Sequence, residues 1–305
     1  VSDVAGNVIT KTWQFSKDTT PPVAPTSIAV VGGTLAFTPP PVWWTLDPTP
    51  QFTWTPGTDI GGSGVVSYKV EIYLGSTLES TYSGVVDEDG VLADVQWTIP
   101  NTLADGIYEI RVYAVDACGN ESVHAGVTFG VDSSISTVML DQAAPAPASW
   151  VNVNTPELSV RFRDLAVPSS GFHSVTAFTV DATDMIPYIT STPAPGAQVG
   201  HIKATAPTLA EGAHTAAISV RDYAGNVANL GWTFSVDTVL PGSPGAITVT
   251  TPTIDTTPNF AWVAATDTAP SSGIAGYIAE IHNGSGLVLG PYEGIPGLSW
   301  DLPDH

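Results

Sequence analysis

"LADGIYEIRVYAVDACGN" (103–120) returns as "LAEGAHTAAISVRDYAGN" (209–226). In the first copy Tyr108, Ile110, Val112 and Ala114 alternate with Glu109, Arg111 and Tyr113; in the second, His214, Ala216, Ile218 and Val220 keep the same register. A period of two belongs to a strand buried on one face. Both copies end in Asp-x-x-Gly-Asn, a hairpin turn in which Gly takes positive φ, Asn tolerates it and Asp accepts backbone N–H groups. One strand and its turn, repeated at an interval of about a hundred residues, mark a β-sandwich repeat.

Working outward, two more phrases recur in fixed order. "TPQFTW" (49–54), "TPELSV" (155–160) and "TPNFAW" (257–262) precede the strand; "WQFSKDTTPP" (13–22), "VTFGVDSS" (127–134) and "WTFSVDTVLP" (232–241) follow or border it. "SYKVEIYL" (67–74) alternates as well, and 26 Pro and 29 Gly cut the chain into short segments with no amphipathic helix among them. The expected fold is all-β, a linear array of tandem immunoglobulin-like antiparallel sandwiches. In immunoglobulin order the first full copy has strand A near 28–31, B at 51–54, C at 66–74, E at 95–99, F at 107–115 and G at 127–131. The second has a poorer B strand, because Val160 stands where Trp54 would.

The expected divisions are 1–18 (end of F, then G, of another sandwich), 19–132, 133–237, and an incomplete sandwich at 238–305. "LPDH" (302–305) overlays "LADG" (103–106), and Val1–Asp3 overlays Ala114–Asp116. Head and tail are therefore nearly complementary parts of one sandwich, short by roughly one strand. Without F and G a sandwich exposes a sheet edge and half its core. Two readings stay open: the chain is a window on a longer array, or a neighbouring copy completes it.

The 305 residues carry 29 acidic against 8 basic side chains, a net charge of -21. That balance argues against nucleic acid and anionic membranes and favours cations. The lone cysteine, Cys118, cannot make an intramolecular disulfide. No stretch is apolar and long enough for a membrane helix.

The set "L-A-D-G-x-Y…D-x-x-G-N" followed by "F-x-V-D" resembles the bacterial immunoglobulin-like repeats of giant surface adhesins and biofilm proteins. Residues 52–72 also resemble fibronectin type III-like surface modules. "RDLAVPSSGFHSV" (163–175) departs most from the pattern. The resemblance implies an extracellular array that spaces an adhesive tip or builds a filament or matrix, with calcium between domains in several members.

The residues themselves suggest where a cation would sit. In such a sandwich the incoming linker arrives beside the B–C and F–G loops. That gathers Asp18, Asp59 and Asp116 at the first junction, and Asp132, Asp164 and Asp222 at the second. Asp237 and Asp267 meet at the third, where Asp3 would supply the missing member from another copy or a longer array. Three carboxylates repel without a cation, and Ca2+ takes six to eight oxygens. Carbonyls near Ser63–Gly64 and the side chains of Asn120 or Asn226 are further candidates. The same motif is equally a plain turn, and "DTTPP" (18–22) equally a stiff linker.

Most tryptophans fall at core positions, whereas Trp43 and Trp44, in the Pro-rich "PPPVWWTLDP" (39–48), should face opposite ways, leaving one as a candidate exposed contact for a neighbouring domain or a glycan. No nucleophile motif, zinc motif or phosphate loop appears, and the acids repeat with the fold. The expectation is a non-enzymatic structural segment whose partners are adjacent repeats. The alternatives are a carbohydrate- or host-binding adhesin module, or an accessory region of a large secreted hydrolase.

Overall fold

The computed structural model describes residues 1–36, 41–86, 95–134, 138–249 and 256–303. The start of the 39–48 stretch and the end of the 302–305 stretch lie outside them.

The first sandwich holds β1 (Thr26–Val30), β2 (Thr34–Ala36), β3 (Val42–Thr45), β4 (Gln51–Thr55), β5 (Val65–Leu74), β6 (Thr77–Val85), β7 (Val95–Thr98), β8 (Gly106–Asp116) and β9 (Ala125–Val131). One sheet runs β1-β4-β7 and the other β2-β3-β9-β8-β5-β6. This is the immunoglobulin-type Greek key, with β8 and β9 as strands F and G. All neighbours are antiparallel except β3 and β9, which run parallel with Trp44 opposite Gly130. Alternation carries through to packing: Tyr108, Ile110, Val112 and Ala114 are buried while Glu109, Arg111 and Tyr113 are partly exposed. Tyr68, Val70 and Ile72 from β5 meet them from the neighbouring strand, and Phe52 and Trp54 from the opposite sheet.

The second sandwich repeats the plan with β10 (Val138–Ala144), β11 (Trp150–Val151), β12 (Glu157–Asp164), β13 (Phe172–Val180), β14 (Thr183–Asp184), β15 (Ile189–Ser191), β16 (Val199–Thr205), β17 (Gly212–Asp222) and β18 (Val227–Val236). Its sheets are β10-β12-β16-β15 and β11-β18-β17-β13-β14. The B strand is not poor. Its eight residues bury Leu158, Val160 and Phe162 completely. Phe172, Phe178 and Trp232 belong to the same core, so the aromatic bulk has moved to other strands. At the F corner, Tyr108 Oη donates to the Ala104 carbonyl at 3.0 Å, and His214 Nε2 faces the Ala210 carbonyl at 2.9 Å. Imidazole thus replaces phenol at an equivalent polar contact.

The third unit holds β19 (Ile247–Val249), β20 (Asn259–Trp262), β21 (Tyr277–Asn283), β22 (Gly286–Ile295) and β23 (Ser299–Asp301). They make a β19-β20-β23 sheet facing a β21-β22 ribbon. At the head of the chain, Ser2 and Val8 form a single bridge, and Trp13 and Phe15 are 79% and 87% exposed.

Candidate cation sites at the unit junctions

Each Asp-x-x-Gly-Asn turn is a closed hydrogen-bonded ring. Asp116 Oδ1 accepts the Cys118 and Asn120 N–H groups at 2.9 and 2.8 Å, and Oδ2 accepts Asn120 Nδ2–H at 2.7 Å. Asp222 repeats this with Gly225 N–H (2.7 Å), Asn226 N–H (2.8 Å) and Asn226 Nδ2–H (2.8 Å). The ring closes because the glycine goes left-handed, φ 85° at Gly119 and 108° at Gly225.

The linker aspartate is tied to the sandwich on either side. Asp132 N–H donates to the Thr45 carbonyl of the first unit at 3.0 Å. Its own carbonyl accepts Asn226 Nδ2–H, and its Oδ2 accepts Ser170 N–H, both at 2.9 Å and both from the second unit. Asp164 Oδ2 accepts from Gly171 N–H (2.8 Å) and Ser169 Oγ–H (2.6 Å). Gly171 has φ 73°, and a Cβ there would sit 2.3 Å from the Gly196 carbonyl oxygen, so this position has no room for a side chain.

One oxygen each from Asp132, Asp164 and Asp222 lies within 4.8 Å of the others, and all three residues are buried. Oxygens around one Ca2+ at 2.3–2.6 Å are at most about 5 Å apart. Asp132 Oδ1 is buried with no hydrogen-bond partner. Among the described residues, none of the ion pairs involves these three acids. Burial, reinforced by the charges of Asp164 and Asp222, pushes the Asp132 carboxyl up to about 6 against the pull of Ser170. Burial and the Asp164 charge likewise raise Asp222 despite its ring of donors. A cation in reach of Asp132 Oδ1 would relieve both.

The first junction has the same plan in a more open setting. Asp18, Asp59 and Asp116 converge within the same 4.8 Å, with Asp18 and Asp59 partly exposed. Asp18 Oδ2 accepts Ser63 N–H at 2.6 Å, Asp59 Oδ2 accepts Gly64 N–H at 2.7 Å, and Asn120 Nδ2–H reaches the Asp18 carbonyl at 3.4 Å. Donation from the Thr20 and Ser63 N–H groups holds Asp18 down at about 2. Burial works upward on Asp116, but Asn120 and Cys118 outweigh it and its carboxyl lies below the usual range.

At the third junction Asp237 Oδ2 accepts Ser272 N–H (2.7 Å) and Oγ–H (2.8 Å), Asp267 Oδ2 accepts Gly273 N–H (3.0 Å), and Asp267 Oδ1 is buried without a partner. Asp3 joins neither cluster. It forms its own exposed ring with Asn7, through N–H at 2.8 Å and Nδ2–H at 2.7 Å.

Three expectations need correction. Ser63 and Gly64 present N–H donors to the carboxylates, where carbonyl ligands were expected. Asn120 and Asn226 turn their NH2 groups toward the acids, satisfying them as donors. Of Trp43 and Trp44 only the expected exposure fails: Trp43 packs half-buried against the first core, and Trp44, 6% exposed, makes the neighbouring-domain contact as a buried one, with Ala36, Val42 and Ala224. Ala224 belongs to the second unit's F–G turn, so Trp44 seals the junction. The Ser-Gly pairs 63–64, 170–171 and 272–273 share the repeat spacing, a signal that identifies the amide cradle.

The fold and its junctions define a chain of immunoglobulin-like, fibronectin type III-like β-sandwiches. No protein-family model matches the chain, and no curated protein does. Among solved structures it is similar to the fibronectin(III)-like modules of CbhA from Clostridium thermocellum, at 16% identity and TM-score 0.35, over 69% of this chain and 94% of that one. It is similar to a run of titin domains at 10% identity and TM-score 0.39, over 90% and 87%. A further similarity is to SGBP-B of Bacteroides ovatus, solved with a mixed-linkage heptasaccharide, at 14% identity and TM-score 0.22, over 76% and 71%.

Proposed function

We propose that the chain is a structural repeat segment of a secreted or cell-surface protein, working as an extended stalk or matrix element whose junctions are stiffened by bound calcium. The observation that carries this reading is the buried Asp132–Asp164–Asp222 cluster with its orphaned Asp132 Oδ1. One of its acids comes from the linker and two from the ends of β12 and β17 in the following sandwich, so a shared ion would fix the linker to that sandwich. The acids recur with the fold, so their task belongs to every junction, as a structural task does and a single catalytic centre does not. The partners are then adjacent repeats of the same polypeptide. The net charge of -21 suits a cation-rich medium outside the cell.

The test compares thermal unfolding and small-angle scattering in millimolar Ca2+ and in EDTA. Chelation should lower the melting temperature and broaden the distribution of interdomain angles. Identical curves in both conditions would remove calcium from this account.

A further inference from the structure

The hairpin of β21 and β22 turns on Gly284-Ser285, between the paired residues Asn283 and Gly286. The first unit builds the same hairpin on Gly75-Ser76, between Leu74 and Thr77. All four tip residues are exposed in both, and in the first unit strands F and G are in place. Exposure of the tip is therefore a property of the hairpin itself. What differs is the residue ahead of the glycine, a leucine in the first unit and an asparagine in the third.

The chain has nine asparagines, and Asn283 alone is followed by glycine. Five of the others precede Val or Thr, whose branched Cβ crowds the backbone nitrogen next to the asparagine. Asn120 and Asn226 are also held by their turns, with Nδ2–H donating to Asp116 and Asp222. Asn283 is held differently: its Oδ1 accepts Ser285 N–H at 2.8 Å. The ring closed by that bond contains both Asn283 Cγ and Gly284 N. Gly284 N–H meets no main-chain acceptor among the described residues, and nothing lies within 4 Å of where a Cβ would stand.

We propose that Asn283 is a site of spontaneous deamidation in the folded protein, with water as its co-reactant. Gly284 N loses its proton to hydroxide and attacks Asn283 Cγ. The new N–Cγ bond closes a succinimide, and the Cγ–Nδ2 bond breaks as ammonia leaves with a proton from water. Ser285 N–H, already on Oδ1, stabilises the negative charge that develops there during the attack. Water then opens the succinimide at either carbonyl, leaving aspartate or isoaspartate. Both products add a negative charge at the tip. Isoaspartate also routes the main chain through the side-chain Cβ, which breaks the pairing of position 283 with Gly286 and loosens the hairpin from its tip.

The test incubates the full folded chain in mildly alkaline buffer at body temperature and follows it by peptide mapping. The peptide holding Asn283 should gain the mass of an amide-to-acid conversion and split into aspartate and isoaspartate forms before any other asparagine changes. The mass gain separates this from isomerisation at Asp105-Gly106, which leaves mass unaltered. Gly284→Ala should slow the conversion severalfold. It fits without strain, since Gly284 is not left-handed and its Cβ position is open. Hydrogen exchange in β21 and β22 should speed up with the isoaspartate fraction and stay constant in Asn283→Gln, whose longer side chain cyclises more slowly. An Asn283 that survives in the folded chain while a synthetic peptide of residues 279–289 converts would overturn the proposal, as would earlier conversion of another asparagine or an unchanged rate in Gly284→Ala. Exchange that ignores the isoaspartate fraction would overturn the loosening of the hairpin.

Discussion

Asn226 Nδ2 donates to the main-chain carbonyl of Asp132 at 2.9 Å across 94 residues of sequence, while the same amide group holds Asp222 Oδ2 at 2.8 Å. One buried side chain therefore clasps the linker and a cluster carboxylate together. The clasp needs no ion. It holds the acids in place in advance, so that binding of the proposed cation would carry a smaller ordering cost.

Replacing Asp132 with Asn separates ion binding from folding. The amide keeps an acceptor for Ser170 N–H and removes a buried charge from between Asp164 and Asp222. Stability in EDTA should hold or rise, and calcium affinity at this junction should fall by on the order of tenfold or more, because charge count sets affinity in such sites. Calorimetric calcium titration beside thermal unfolding in EDTA checks both. A large stability loss in EDTA would assign Asp132 to the linker's architecture instead.

The two junctions should respond oppositely to pH in calcium-free buffer. Asp132 has its folded pKa raised from 3.8 to about 6, so its contribution to stability is fully present below pH 4 and is lost as pH rises through about 6. The shift corresponds to ~3 kcal/mol at most. Asp222 acts in the same direction. Asp18 and Asp116 are lowered, so what they contribute is present above pH 4 and is lost as pH falls toward 2. Hydrogen exchange in β17 and β8 across pH 2 to 7 in calcium-free buffer reads the two units separately. Saturating calcium should flatten the profile of the second.

Asn226→Ala removes the clasp. The Asp132 main-chain carbonyl and Asp222 Oδ2 lose their donor, at a cost of about 1–3 kcal/mol in the stability of the second unit. Scattering should show wider bending at the junction between the first and second units even in calcium. Chemical denaturation with a probe in the second unit gives the first number.

Trp44→Ala should loosen the same junction without touching the cluster. Trp44 packs on Ala224 and on Val42 of its own strand, and losing a buried indole costs about 3–5 kcal/mol. Calcium affinity should stay within about twofold of the parent while the interdomain angle distribution broadens. A parallel collapse of calcium binding would mean that the apolar seal positions the acids.

Much of this architecture is legible in residue patterns. The alternation in 103–120 and 209–226 marks strands F, and the spacing of Asp18, Asp59 and Asp116 anticipates a convergence that sequence distance hides. Other features leave weaker traces. Strand β6 is exposed on both faces along most of its length, so it shows little period, and only the Gly75-Ser76 turn before it signals a hairpin. Val160 reads as a defect because a core is filled jointly, and the compensating Phe172 and Phe178 lie on another strand. The Ser-Gly cradle acts through backbone N–H groups, which every residue but proline carries, so the letters alone do not announce donors. The burial of Trp44 depends on Ala224, in the next unit.

The parallel pairing of β3 with β9, and of β11 with β18, sets how each sandwich meets tension. The strand near the entry of a unit and the strand at its exit lie side by side and run the same way. Pulling the two ends apart slides these strands along each other, so their hydrogen bonds are loaded in shear and must yield together, whereas an antiparallel hairpin pulled at its open end unzips one bond at a time. The pairs are short, three matched positions in the first and two in the second. The linker extends each clamp by one bond, through Asp132 N–H to Thr45 and Asp237 N–H to Val151. The aspartates that gather at the junctions thus also lock the mechanical latch of the sandwich before them.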